Sequence, residues 1–403
     1  LSDESAADEN VATAMQALSG VEVRWADTVF GSFGPTNRIN GDLNKAPSGV
    51  QNAILVIVKG AESPGDGGGG IFYWDPTAGV DDGGTVIVPT APPPVVGCWR
   101  RIYEGPLNAK WFGTTNMTLA IQAAVNAGKH VYVPAGTHII LQTIDMPEGV
   151  ELYGAGAATV LKFDPQTDTT PNDYDHAVIR IRNDRVRVAN LVIDGNKSAF
   201  SFFNKYDQAG IVVASPSPGH TEEVVIENCT VKNCVGSGIV LINVGNVSVR
   251  ACTTIDNGIT GSRAAGIEVI NISKHCVVQA CDAWRNEAEG IMVTDDSYFT
   301  RVRDCRSDTI VVTGSTGTMI VGCQVDNSNL SQSNMAIRTA SAVQTTVANC
   351  RIVSRSHGIF AQGNSNLVIN GNTITSSFGP NPGVSTWGIS ASGQSELCAT
   401  NNN

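Results

Sequence analysis

The sequence predicts an all-β fold whose larger part is a parallel β-solenoid. Composition points there first. Charged residues make up 16% of the 403-residue chain and aromatics 6%, while 42% is hydrophobic and 42 residues are glycine. Average soluble chains carry about 25% charged residues and about 7% glycine. The shortage of Glu, Lys and Arg disfavours long helices, and the apolar share is enough to offset chain entropy. Two registered frames give the second indication. From about residue 176 a Gly-Ile pair recurs at Gly210-Ile211, Gly238-Ile239, Gly266-Ile267, Gly290-Ile291, Gly358-Ile359 and Gly388-Ile389, with first spacings of 28, 28 and 24 residues. A second frame sets an aliphatic residue three before a cysteine: Ile226/Cys229, Val249/Cys252, Val278/Cys281, Val302/Cys305, Ile320/Cys323 and Val347/Cys350, continued by Ile369/Asn372.

A period of about 20 to 30 residues with short strands and no helical period is the mark of a solenoid. Like residues then stack coil over coil at about 4.8 Å. Ile, Val and Cys suit a narrow dry bore, and Gly and Asn supply left-handed turns between strands. Leucine-rich repeats are disfavoured by the lack of a Leu-x-x-Leu-x-Leu frame.

Along the chain, residues 1–20 read as a short N-terminal helix ending at Gly20, and 21–52 as irregular and turn-rich. Strands are expected at 53–59, 71–74, 85–89 and 98–103, separated by Gly and Pro clusters. The glycine run 65–70 lacks the Lys-Ser/Thr of a phosphate loop and leads into a strand, so it reads as a hairpin loop. Residues 119–127 form an amphipathic helix pattern, followed by strands at 129–134, 136–141 and 149–153. The expected domains are the helix 1–20, a small β-rich domain 21–113, and a β-helix 114–403 with an N-terminal helical cap. The chain starts at Leu1 without a signal peptide and ends at Asn403 inside a repeat, so it reads as part of a longer protein whose last coil is covered by something else.

The formal net charge is -11 and no basic block is present, which argues against a nucleic-acid partner. The longest apolar runs are too short to insert into a bilayer. Six of the ten cysteines share one frame and no C-x-x-C pair occurs, so reduced, stacked thiols are expected rather than disulfides or zinc. The six histidines have no metal spacing. No cofactor or metal is expected, beyond weak Ca2+ binding by acidic turns.

Residues 110–113 (Lys-Trp-Phe-Gly), 121–125 (Ile-Gln-Ala-Ala-Val) and 131–137 (Val-Tyr-Val-Pro-Ala-Gly-Thr) resemble the opening of right-handed parallel β-helices of the pectate-lyase superfamily, common in phage tailspikes. Residues 70–76, 82–87 and 99–103 are similar to the small β domain that often precedes such helices in phage or prophage tail proteins. One departure is Gly113-Thr114-Thr115-Asn116, where the family often carries Gly-Asp-Gly and Asp-Asp-Thr. The resemblance implies a homotrimer, extracellular or virion-associated, that acts on or binds polysaccharide. Fold alone does not choose among hydrolase, lyase, epimerase and binding spike.

Candidate site residues are polar outliers in the repeat frames. Two after the repeat Gly stand Val212, Val240, Glu268, Met292 and Phe360, with Glu268 the outlier. Three before it stand Asp207, Arg263 and Glu287; five after it come Ser215, Asn243, Asn271 and Asp295, with Asp296 adjacent. Glu268 and Asp295, with Asp296 and Arg263, form the catalytic set: a carboxylate pair can hydrolyse a glycosidic bond as acid and base. Lys205, Tyr206, Asp207, Glu287, Trp284 and Tyr298 are the substrate-binding set, with Phe202, Phe203 and Phe299 as further stacking aromatics. A uronan lyase or C5-epimerase would instead use Lys205, Tyr206 and Arg263. A non-catalytic spike or glycan-binding adhesin would use the same charges only to bind. The plain alternatives are a Glu268–Arg263 surface pair and an Asp295-Asp296 turn. The outward aliphatics Val212, Val240, Ile242 and Ile270 are expected to form an exposed interface or to lie under a loop.

Overall fold

The computed structural model describes residues 22–29, 54–90, 96–164, 177–199, 208–215, 221–259, 264–328, 335–376 and 388–403. The helix expected over 1–20 lies outside them. The chain divides into two compact units, Leu1–Pro134 and Ala135–Asn403.

The first unit holds a five-stranded sheet. Its strands are β1 (Glu22–Thr28), β2 (Ile54–Gly60), β3 (Gly70–Asp75), β4 (Val86–Ile87) and β5 (Cys98–Ile102), in the order β1-β2-β3-β5-β4. β1 runs parallel to β2 and the other pairs are antiparallel. The four expected strands form within one or two residues. β1 is an addition, from a segment read as irregular: the large Trp25 is exposed and the small Ala26 buried, so the hydrophobic pattern does not mark its inward face. Val56, Val58, Phe72, Ile87 and Trp99 build the core, with Trp74 edge-on to Trp99 at 5.1 Å.

The glycine run is a loop organised by a carboxylate. Asp66 accepts the backbone N–H groups of Ala61, Glu62, Ser63 and Gly68 at 2.8 to 3.0 Å. Burial alone would raise its pKa, but these four donors together outweigh it and hold the carboxyl low. Arg101 is buried behind this loop and donates to the carbonyls of Gly68, Gly69 and Gly84. Burial brings its guanidinium down to about 9. The helix α1 (Met117–Ala127) starts two residues earlier than its pattern suggested. The departure at 113–116 still makes a sound start: Asn116 Oδ1 accepts from Leu119 N at 3.2 Å, and Glu62 takes the N–H and hydroxyl of Thr115.

The second unit is a parallel solenoid with three faces. The first face runs from Glu151–Gly154 to Leu397–Thr400, the second from Gly136–Ile140 to Thr373–Ser376, and the third from Ile144–Met146 to Ile389–Ser392. Each coil gives one strand to each face, in parallel register with the coil below. The Gly-Ile frame opens the third-face strands: Ile239, Ile267 and Ile291 stand in register and point into the bore, fully buried. The second frame places Ile226, Val249, Val278, Val302, Ile320 and Val347 at the centres of first-face strands, also fully buried.

The framed cysteines stack at the corner between first and second faces. Each Sγ lies 3.5 to 3.8 Å from a carbonyl of the coil below, as Cys252 does from Ile226 O and Cys281 from Val249 O. All ten cysteines are free thiols, nine buried and Cys398 exposed, as the frame suggested. Asn372 continues the column: its Oδ1 accepts Cys350 N at 2.9 Å and its Nδ2 donates to Val347 O at 3.0 Å. The residue before this column is left-handed in successive coils: Asn190, Asn228, Ala251, Ala280, Asp304, Gly322, Asn349 and Gly371. Backbone conformation thus accounts for the Asn and Gly content there.

Candidate functional site

Strand Ile267–Ile270 puts Ile267 and Val269 into the bore, so Glu268 and Ile270 point outward. Register aligns the outward row as Val212, Val240, Glu268, Met292, Val311, Arg338 and Phe360 on successive coils. A parallel row of Ile270, Thr294 and Thr313 lies two residues on. A pocket of about 630 Å³ opens on these rows. Glu268, Met292 and Arg338 line its floor; Ser237 and Glu289 stand on one flank and Asp295 on the other.

Glu268 is nearly enclosed, at 6% exposure. Burial is the main cause that pushes its carboxyl above the usual range, and the charge of Asp295 adds to it. The Ser237 hydroxyl and the Ala265 N–H oppose this shift by donating to Oε1, at 2.5 and 3.2 Å. Ala265 N–H also donates to Ser237 Oγ at 3.0 Å, which fixes the hydroxyl. With Oε1 occupied, Oε2 is the oxygen left to carry the proton.

Asp295 is exposed, and Thr294 Oγ1 donates to its Oδ2 at 3.2 Å. Its backbone is left-handed, as is that of Asp296. The turn reading of this pair is therefore correct for the backbone, while the side chain of Asp295 still reaches the pocket. Glu289 is a third carboxyl of the site. Burial raises its pKa, against the Thr309 hydroxyl and the Arg338 charge, which lower it.

The structure brings together Glu268 and Asp295 and sets Asp296, Glu287, Trp284 and Tyr298 apart from them. Asp296 sits beside the pocket without lining it. Glu287 is exposed at the corner before the third face and does not line the pocket. Trp284 is on the second face, in register with Ile255, and Tyr298 is at the corner leading to the first face, bridging Lys274 and Thr316. Neither aromatic can stack on a sugar held by Glu268. Lys205, Tyr206, Asp207 and Arg263, like Phe202 and Phe203, lie outside the described residues. The outward aliphatics are not exposed: Val212, Val240 and Ile270 are buried with Ala177 and Ala209, and Ile242 packs against them.

Glu289 and Arg338 were not picked out from sequence. Glu289 directly precedes Gly290, where the other coils carry Ala209, Ser237 and Ala265. It is a polar outlier by the same logic as Glu268. Arg338 was hidden because Thr309 and Ala336 replace the repeat glycine, which breaks the frame over two coils. Among the described residues, no group of three or more His, Cys, Asp or Glu is placed to hold a metal ion, and no helix is long and apolar enough to cross a membrane.

Comparison with known proteins matches this architecture. Residues 42–104 match the phage tail protein small four-stranded β-sheet domain, and residues 177–314 match the right-handed β-helix region family. No curated protein sequence matches the chain. The enzymatically active domain of tailspike protein 2 from bacteriophage CBA120 superposes with a TM-score of 0.67 at 15% identity, over 87% of this chain and 54% of that one. ORF18 of Geobacillus virus E2 gives 0.57 at 15% identity, over 94% and 75%. The A-module of the mannuronan C-5 epimerase AlgE4 from Azotobacter vinelandii gives 0.50 at 18% identity, over 73% and 95%. The chain thus spans about half the length of the tailspike domain that it matches. Its fold is a right-handed parallel β-helix like that of this tailspike, preceded by a segment that matches a phage tail protein domain.

Proposed function

We propose that this chain is a polysaccharide depolymerase that hydrolyses a glycosidic bond in the third-face pocket, with Glu268 as general acid and Asp295 as general base. One observation carries the reading. An outward position of a sheet holds a nearly enclosed carboxyl, raised in pKa and anchored on one oxygen, and an exposed carboxylate shares its pocket. Two carboxyls in contrasting environments are the arrangement that divides acid and base roles.

Glu268 Oε2 gives its proton to the leaving oxygen, and Ser237 and Ala265 then stabilise the carboxylate through Oε1. Asp295 takes a proton from the attacking water. Asn271 is three residues beyond Glu268 and Asp295 stands one coil above it; the separation of the two carboxyl groups sets the inverting or the retaining course, which the anomeric configuration of the first product distinguishes. Members of this fold that serve as tailspikes also motivate a homotrimer for the whole protein, which a monomeric mass by light scattering refutes.

The test uses a panel of neutral and uronate-containing polysaccharides. New reducing ends without ultraviolet absorbance of an unsaturated uronate support hydrolysis. Unsaturated ends mark a lyase, and solvent-proton exchange without cleavage an epimerase; either result replaces the hydrolytic reading. Glu268→Gln and Asp295→Asn should each lower turnover by about 10²–10⁴. Full activity in both removes the site assignment.

A further inference from the structure

We propose that the corner leading into the first face carries a second, non-catalytic binding surface for an acidic polysaccharide, built from Phe299, His275, Arg301 and Arg303. It lies away from the third-face pocket and does not depend on the reaction assigned there.

The first observation is a residue of the wrong type for its backbone. Among the described residues, one corner column is left-handed in nine coils: Gly149, Arg185, Glu223, Asn246, His275, Phe299, Gly317, Gln344 and Asn366, with Phe299 its one carbocyclic aromatic. Asn and Gly adopt this conformation readily, whereas a bulky aromatic does so at a cost. Phe299 is held there all the same, with its N–H on Thr316 O at 2.7 Å. Its ring is 47% exposed, so core burial does not explain it. Instead it stacks on His275, with centroids 5.3 Å apart and planes 11° from parallel. On the other side Gly317 leaves the room: a Cβ there would meet the ring at 2.5 Å. The result is a pair of stacked, solvent-exposed rings on two adjacent coils. A strained residue kept at a solvent-facing position points to binding.

The second observation is positive charge on an acidic chain. Strand Arg301–Arg303 begins two residues after Phe299, and both arginines point outward and are exposed. Their neighbours in register are Val277 and Met319 for one, Gln279 and Val321 for the other, so no carboxylate stands beside them in the sheet. Arg303 donates to Gln279 Oε1 at 2.7 Å, which holds one guanidinium in place. Other arginines of the solenoid, Arg285 and Arg306, are matched by Asp256 and Asp282. The platform and the two guanidinium groups lie along one strand, about 7 Å apart at each step.

An aromatic face takes the apolar face of a sugar ring, and guanidinium groups take carboxylate or phosphate. A glycan with sparse negative charge fits both. A single-stranded nucleic acid would also stack, but its dense charge is opposed by the net charge of -11.

The test is retardation of the whole chain in gels containing alginate, hyaluronate or a phosphate-bearing teichoic acid. Carboxyl-reduced alginate and oligothymidylate serve as comparisons. The wild type should be retarded by at least one acidic glycan, less as salt rises, and not by oligothymidylate. Phe299→Asn should weaken this at least tenfold while unfolding at an equal or higher midpoint, because Asn suits the left-handed backbone. Arg301→Ala with Arg303→Ala should remove the salt dependence. Absence of retardation by every acidic glycan, variants that bind like the wild type, or equal binding of oligothymidylate overturns the proposal.

Discussion

Asp308→Asn reads the electrostatics of the solenoid directly. Asp308 follows the second-face strand Arg306–Ser307 and is 5% exposed. Its oxygens accept Arg285 N at 2.8 Å and Thr309 N at 3.0 Å. Burial raises its pKa from 3.8 to about 6; the backbone donors oppose the rise and the Glu289 charge adds to it. The folded pKa is above the unfolded one, so the folded state binds more protons between the two values. Stability from this group is then full below the unfolded pKa and falls as pH climbs through the folded one. A shift of about two units corresponds to a loss of about 3 kcal/mol by neutral pH, to order of magnitude. Asn cannot ionise, so its variant escapes that loss. It also leaves one backbone donor poorly matched, a constant penalty of about 1–3 kcal/mol. The quantity to follow is therefore the difference between variant and wild type, which should swing by about 3 kcal/mol in favour of Asn from about pH 3 to pH 7. Urea unfolding across that range measures it, with circular dichroism and fluorescence required to coincide because solenoids can lose cooperativity. A difference that stays flat with pH refutes the reasoning.

Three further outcomes follow from particular contacts. Ser237→Ala removes a donor that lowers the Glu268 pKa, so the alkaline limb of the pH–rate profile should move to higher pH; an unmoved limb separates Ser237 from the acid. Ala280 is exposed and left-handed at φ 52°, so Ala280→Asn should stabilise by about 1 kcal/mol, read as a raised urea midpoint at constant slope. Thiol titration of the native chain should count one fast cysteine, Cys398, and all ten after unfolding; two or more fast thiols contradict the stacked column.

The fold was legible because its two frames are consequences of backbone geometry. The Gly-Ile pair marks where six of the ten third-face strands begin. Adding a Cβ at Gly290 would bring it to 1.9 Å from Ser307 Oγ, so that position admits almost nothing else. The cysteine frame marks one corner of a bore too narrow for larger side chains. Strand β1 was missed because its large apolar Trp25 faces out and the small Ala26 faces in, which hides the strand alternation. The faces were less legible than the strands. A frame position says how far along a coil a residue stands, but Trp284 and Tyr298 turn onto other faces than Glu268 because three strands share each coil.

The same distinction decides which carboxyls carry functional weight. Asp295 occupies a left-handed column whose other members include Asn243, Asn271, Gly314 and Gly363. Asp is a natural occupant of such a turn, so its presence has a backbone explanation before it has a chemical one. Glu268 has none. It stands in mid-strand, where its neighbours in the row are Val240 and Met292, and it bears the desolvation that those residues avoid. A buried carboxyl at such a place costs desolvation that its two hydrogen bonds, from Ser237 and Ala265, only partly offset. Replacing Glu268 by Gln should therefore relieve the folded chain at neutral pH, with the benefit fading in acid as the wild-type carboxyl takes up its proton. A Gln variant that is less stable than wild type at neutral pH would show that the carboxylate is needed by the fold itself, and would take from Glu268 its claim to be kept for chemistry.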